Sequence, residues 1–372
     1  MKVLVITNYL GNFGGLGRYS KEVVSAQRSM GLDVDVLSEA KSPLKNYEYP
    51  LLRKVFNKKK PEVLKNVLWN IRQTRKFSKP YDIIHAHDGW PYAVYGHFAV
   101  LGTNKKLYIT GIGTYTIAPL TNSVMGFFLK KAYRKAEMVF CISDYVTNKL
   151  RTMVSGVNAR TVFMGTTDLP NISEDQVSEY KNKYSIQNHT PIFLTVGDIK
   201  HRKGQLDTLK GISLIKDKYP DFLYVMIGTD EDSYYVGKTK EYAKAQNIEN
   251  NILIISNVYE DQVLSCFYTL ADIFLLNSNS EGNHFEGFGL VFLEAAQFGK
   301  PVIGSLGCGI ESALKDGYNG FLTEQGDPEG IKAKILDILH NKREEFSRNS
   351  REFYTHFSWL KTAKSYGDHY LS

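Results

Sequence analysis

The chain has 372 residues, 43% of them hydrophobic and 23% charged, enough for two ordinary domains with substantial cores. No apolar run approaches the ~18 residues of a membrane-spanning helix, and nothing after Met1-Lys2 resembles a secretory leader, so a cytoplasmic protein is expected. The net charge of +7 hides an asymmetry: residues 1–169 carry 25 Lys and Arg against 11 Asp and Glu, the remainder 21 against 28.

In chain order, Lys2–Thr7 reads as a buried parallel strand. It leads through the glycine loop Gly11-Asn-Phe-Gly14-Gly15-Leu-Gly17-Arg18 into a helix from about Tyr19 to Met30, ended by Gly31. Val34–Leu37 begins the next strand. Lys45 to Lys79 then holds eleven Lys and Arg against only Glu48 and Glu62. A solvated helix face explains such a run. So does a surface that meets anionic lipid headgroups or a phosphorylated acceptor, at about 1 kcal/mol per basic residue near a membrane. No recognition motif supports nucleic acid as a partner.

Asp82-Ile-Ile-His85, Leu107–Thr110 and Met138–Ser143 continue a strand–helix alternation. After Asp168 comes a polar, acidic stretch from Asn171 to Asn188. A second cycle follows with Pro191–Gly197, Phe222–Gly228, Ile252–Ile255, Ile273–Leu276 and Pro301–Gly304. Alternation of this kind implies doubly wound parallel sheets. The expected α/β layout is two Rossmann-like domains, 1–168 and 191–352, joined by a hinge at 169–190 and followed by a closing segment, 353–372. Cys141, Cys266 and Cys308 lie far apart and odd in number, giving neither a disulfide framework nor metal spacing.

Several segments carry residues suited to chemistry. The glycine loop invites a dinucleotide fingerprint, with Asp35 or Glu39 as ribose ligand. Against that, Gly15 lies too far beyond the strand, and Gly15-x-Gly17-x-x-Ser20 lacks the third glycine. Ile84-His85-Ala86-His87-Asp88-Gly89-Trp90 is expected just past a strand's carboxyl end, where open α/β sheets place ligands. His85 reads as a packing or turn residue. His87, as a neutral imidazole, can donate one hydrogen bond and accept another. No further ligands follow at zinc spacing, so no metal is expected. In Glu286-Gly-Phe-Gly-Leu-Val-Phe-Leu-Glu294, a glycine-bearing loop opens an apolar helix whose first amides and dipole suit an anion. Two glutamates around such a helix start suit a ligand with both phosphate and hydroxyl groups.

This last segment resembles the signature of retaining GT-B glycosyltransferases of family 4 and their glycogen-synthase relatives. Glu281 is a decoy, because eight residues beyond it stands Gly289. The resemblance implies two Rossmann-like domains facing a cleft, the first for the acceptor and the second for the donor. The last helix, around Phe357-Ser-Trp359, Tyr366 and Tyr370, would cross back onto the first. It also implies that Glu286 lies beside the transferred sugar, that the amides after Phe288, at Gly289 and Leu290, hold the donor diphosphate, and that Glu294 binds the ribose. The loop at Gly15 would close over the diphosphate with Arg18 near by, and His87 would approach the sugar. Val196-Gly197-Asp198…Lys203-Gly204 resembles a segment whose Arg and Lys neutralise the leaving diphosphate. Lys203 matches, Asp198 stands in the arginine's place, and Arg202 could supply that charge from a neighbouring turn. Val258 falls where the family's backbone contacts the base, and Asn283 and His284 precede the sugar-facing glutamate. Thr229-Asp230-Glu231-Asp232 mimics the Asp-x-Asp of the other glycosyltransferase fold but reads as an exposed loop.

The implied activity is metal-independent transfer of a sugar from a UDP- or GDP-linked donor, with retention. The acceptor would be a saccharide or a polyprenyl- or lipid-linked molecule, and the enzyme would sit in the cytoplasm or on the inner membrane face. No cofactor is expected. Two alternatives stand: a sugar-nucleotide 2-epimerase of the same fold, which needs no acceptor, and a non-catalytic binding homologue, suggested by Asp198.

Overall fold

The structure, a computed structural model, describes residues 1–11, 15–258 and 260–371. The chain divides into two compact units, one of Met1–Gly165 with Ser358–Ser372, the other of Thr166–Phe357. The stretch 169–190, expected as a hinge, instead carries a helix of the second unit, Glu174–Lys183. That helix starts on a reciprocal Ser173/Gln176 capping box.

The first unit contains, in order, β1 (Lys2–Ile6), α1 (Gly15–Ser29), β2 (Asp33–Leu37), β3 (Glu48–Tyr49), α2 (Lys60–Phe77), β4 (Ile83–His87), α3 (Val94–Val100), β5 (Lys106–Gly111), α4 (Thr114–Ile117), α5 (Ser123–Lys135), β6 (Met138–Cys141), α6 (Asp144–Met153) and β7 (Ala159–Thr161). Its seven strands run in the order β3-β2-β1-β4-β5-β6-β7, and every pairing is parallel. Val3, Leu4, Val5, Ile6 and Ile84 are wholly buried, as expected where helices cover both sheet faces.

The second unit follows with α7 (Glu174–Lys183), β8 (Ile192–Val196), α8 (Gln205–Ser213), β9 (Leu223–Gly228), α9 (Ser233–Ala245), β10 (Ile252–Ser256), α10 (Asp261–Leu270), β11 (Ile273–Leu276), α11 (Leu290–Gln297), β12 (Val302–Ser305), β13 (Gly320–Thr323), α12 (Pro328–Asp337) and α13 (Arg343–Tyr354). Six parallel strands run β10-β9-β8-β11-β12-β13. Phe193, Phe222, Tyr224, Ile273 and Phe346 centre its core.

The closing helix, α14 (Trp359–Leu371), belongs to the first unit. The Tyr366 hydroxyl meets that of Tyr19 on α1 at 2.6 Å. Tyr370 accepts from Gln27 at 3.1 Å and pairs with His85 Nδ1 at 2.5 Å.

Three differences from the sequence reading bear on the sites. First, α1 starts at Gly15 rather than near Tyr19, so Gly15, Gly17 and Arg18 form its first turn. A Cβ at Gly17 would stand 2.7 Å from the Tyr9 ring, so a larger residue there would require that ring to move. The loop's centre, residues 12–14 and thus Gly14, lies outside the described residues. Second, β4 runs through His87, which pairs with Thr110 of β5. Both histidines therefore sit within the strand rather than past it, two apart and on one face. Third, the edge strands β3, β7 and β13 were not expected, because two to four residues carry too little alternation to read.

Candidate active site

In each sheet the strand order reverses once, and open α/β sheets bind ligands at the carboxyl ends beside that reversal. In the second unit the reversal lies between β8 and β11. The loops leaving these two strands carry Asp198–Lys203 and Asn277–Glu286, the segments in which the charged candidates cluster.

After β8 the chain makes a single 3-10 turn, His201–Lys203, and enters α8 through Gly204. Gly204 is left-handed (φ +69°), and a Cβ there would stand 1.9 Å from the Asn277 carbonyl oxygen. This close approach ties the turn to the exit of β11. The Asn279 amide donates to the Arg202 carbonyl at 2.8 Å, and its side chain donates to Asp207 at 2.8 Å. The turn thereby holds two cations over one carboxylate. Lys203 Nζ lies 2.6 Å and Arg202 Nη1 3.3 Å from Glu286 Oε2. All three side chains are mostly buried, 14–23% exposed. Burial pushes the Glu286 carboxyl up, but Lys203 and then Arg202 outweigh it and hold it below the usual carboxylate range.

Glu286 is fixed from its backbone as well, its carbonyl accepting from the Gly309 amide at 2.7 Å. Phe288 is buried against Phe357. Gly289, left-handed at φ +89°, caps α11, so the amides that open this helix follow Glu286 by three and four residues. Glu294, one turn further, is buried and accepts from the Tyr268 hydroxyl at 2.9 Å. That tyrosine, on α10, carried no sequence signal.

Asn283 and His284 lie in a tight turn closed by reciprocal Glu281–His284 backbone bonds, with His284 exposed. Glu281, the decoy, pairs with His201 at 2.6 Å. Asp198 pairs with Lys200 at 2.7 Å and accepts from Thr229 at 3.0 Å, so its charge is answered locally. Asp230 accepts from Ser256, and Asp232 caps α9 through the Tyr235 amide. Val258 is half-buried after left-handed Asn257.

In the first unit the reversal falls between β1 and β4. His85 is a core residue, its nitrogens taken by Tyr370 and by Thr110 at 2.8 Å. His87 is wholly buried, and its Nδ1 meets Ser20 Oγ on α1 at 2.9 Å. Burial holds its pKa down to about 3, so it is a neutral imidazole. Its Nε2 has no hydrogen-bond partner among the described residues. Arg18 is half-buried, and Gly15 is exposed and borders a crevice of the first unit.

Both units match family models. Residues 13–162 match "Glycosyltransferase Family 4" and residues 176–353 match "Glycosyl transferases group 1". The chain belongs to the family 4 glycosyltransferases. Across 97% of its length it is 26% identical to an uncharacterised glycosyltransferase of Methanocaldococcus jannaschii, of which it covers 95%. It is 23% identical to the capsular polysaccharide biosynthesis glycosyltransferase CapM of Staphylococcus aureus, with 87% of this chain and 86% of that one aligned. Among solved structures, Anabaena HepE in complex with UDP superposes with a TM-score of 0.80 at 16% identity, covering 99% of each chain. The two parallel sheets are those of the GT-B fold. Among the described residues of this glycosyltransferase, no helix is long and apolar enough to cross a membrane.

Proposed function

We propose that this glycosyltransferase moves a sugar from a nucleoside-diphosphate donor to a saccharide or lipid-linked acceptor, with retention and without a metal ion. The observation that carries the proposal is the convergence of Lys203 and Arg202 on Glu286 beside the start of α11. A departing diphosphate needs cations and amide donors at the developing charge. Lys203, Arg202 and the amides at Gly289 and Leu290 are of that kind. Glu286, kept ionised by the same cations, would orient the sugar and face the positive anomeric carbon. Glu294 would take the ribose hydroxyls, exchanging or sharing its bond from Tyr268. His87 would offer Nε2 to the sugar as a neutral donor, the tautomer its Ser20 contact at Nδ1 permits. A donor phosphate oxygen would take the acceptor's proton on the face the leaving group vacates.

The UDP bound by HepE supports a uridine donor, with guanosine as the other candidate. The likeness to CapM supports a role in cell-surface polysaccharide or glycolipid synthesis. On α2, Leu64, Leu68 and Trp69 are exposed among Lys65, Arg72, Arg75 and Lys76. Such a face suits peripheral attachment to an anionic inner leaflet. Equal flotation with neutral and anionic vesicles would remove that attachment.

The test of the activity is a thermal-shift screen with UDP, GDP, ADP and their sugars. A ligand at 100 times its Kd adds about 2.7 kcal/mol. The expected result is stabilisation by one nucleotide family, then transfer in EDTA with an α-linked donor giving an α-linked product by NMR. No shift with any nucleotide, or an inverted product, would overturn the reading. Conversion of donor without acceptor into its 2-epimer would replace it.

A further inference from the structure

The second unit has a cleft of about 520 Å³ at the opposite ends of its strands from the Glu286 site. One wall is formed by the turns that lead into β11 and β12, carrying Asp272 and Lys300. The other is α13, which turns Arg343, Glu344, Ser347 and Arg348 towards them. Arg351, one turn further along α13, lies against the same wall, its Nε 2.6 Å from where a Cβ on Gly299 would stand. The eight residues of α11, about 12 Å of helix, separate this cleft from the amides at the start of that helix.

The cations outnumber their partners. Asp272 is fully engaged, one oxygen accepting from the Ile192 amide at 2.7 Å and the other from Arg343. Lys300 is half-buried, and its ammonium donates to the neutral Thr269 carbonyl at 2.8 Å. Arg348 and Arg351 form no ion pair among the described residues. Lys300, Arg343, Arg348 and Arg351 therefore stand against Asp272 and Glu344, a surplus of two positive charges. Burial lowers Lys300 to about 8; Asp272 opposes that shift, while Arg343 and Arg351 add to it. Like charges held this close are repelled until an anion joins them. A carboxylate would answer half of the surplus, a phosphate dianion all of it. Guanidinium forks match phosphate oxygens, and the Ser347 hydroxyl is a further donor. We propose that this cleft binds a phosphate dianion, either free or as the monoester of a small molecule, separately from the nucleotide site. The arginines of α13 and Lys300 would grip its oxygens.

Titration calorimetry on the whole chain tests this with inorganic phosphate, glucose 6-phosphate and sulfate, against glucose and acetate. The expected result is binding of all three dianions, weakened roughly tenfold by Arg348→Gln or Arg351→Gln and unchanged by Lys203→Ala. Both arginines are exposed, so these variants should melt like the parent when no anion is present. Tighter binding of glucose 6-phosphate than of phosphate would identify a monoester as the ligand, and the reverse order the free ion. Sulfate keeps its charge from about pH 7 to pH 9, so its affinity should fall as Lys300 deprotonates near 8, and Lys300→Met should flatten that profile. If Lys300→Met does not fold, the arginine variants still decide. The inference is overturned if no dianion binds, if acetate binds as well as sulfate, if both arginine variants bind like the parent, or if Lys203→Ala abolishes binding. That last outcome would place the anion in the nucleotide site and leave the transferase reading intact.

Discussion

Glu39 in the first unit and Glu286 in the second both stand beyond the carboxyl end of a parallel strand, and both are largely withdrawn from water. Their acidities move in opposite directions. Burial lifts Glu39 to about 7, little opposed by Tyr92 and Lys54, while Lys203 and Arg202 carry Glu286 below its ordinary range against the same burial. Burial alone therefore does not set the protonation of a site carboxylate; contact with cations does. At Glu286 in the second unit the cations in contact dominate, whereas at Glu39 in the first unit desolvation does. The histidines agree with that division: His85 and His87 are kept neutral by the same desolvation that raises Glu39.

The comparison breaks most visibly at Lys203. Lys203→Ala should lower turnover by about 10²–10³-fold, the cost of removing one preorganised donor from developing charge. Arg202→Ala should cost less, its contact being longer (3.3 against 2.6 Å). Steady-state rates with the identified donor check both. An Arg202 effect within about twofold, under ~0.4 kcal/mol, would leave Lys203 as the working cation.

A second test sets the carboxylates against pH. Glu39 has a folded pKa above its unfolded one, so the folded state binds more protons between about 4.5 and 7. Its contribution is present below that window and lost as pH rises through it, by at most ~3 kcal/mol. Glu286 has the opposite sign: its contribution is present above the unfolded value and lost as pH falls through the lowered folded one. His85 and His87, lowered by burial, lose stability as pH falls below 6.5 and mask Glu39 in the parent. The difference between Glu39→Gln and parent isolates it. In urea melts the variant should gain on the parent from pH 5 to pH 8, and a constant difference would show Glu39 to be ordinary.

The smallest effect is expected at Asp198. Its ion pair with Lys200 involves half-exposed side chains, so Asp198→Ala should change stability by less than about 1 kcal/mol in the same melts. A larger loss would mean that Asp198 supports the Lys203 turn.

Much of this was readable from local pattern. Short apolar runs between amphipathic helices are enough to announce parallel sheets, and the glutamate pair of the family signature separates Glu286 from the decoy Glu281. Lys203 and Gly204 were likewise visible through their match to the family's segment, and the structure adds that Gly204 is left-handed. Four features needed the tertiary fold. Arg202 and Lys203 share one oxygen of Glu286 only because β8 and β11, some 80 residues apart, are neighbours in the sheet. His87 belongs to the strand rather than to the loop because β5 continues to pair with it. Tyr268 reaches Glu294 from another helix. Glu39, Asp88 and Tyr92 share a crevice because β2 and β4 flank β1. The sequence by itself determined which segments become strands and helices and where the glycine-capped turns lie, because hydrophobic period and glycine conformation act over a few residues. Which side chains meet, and hence which acids are ionised, was decided by strand order, since desolvation and Coulomb contact depend on distance in space rather than along the chain.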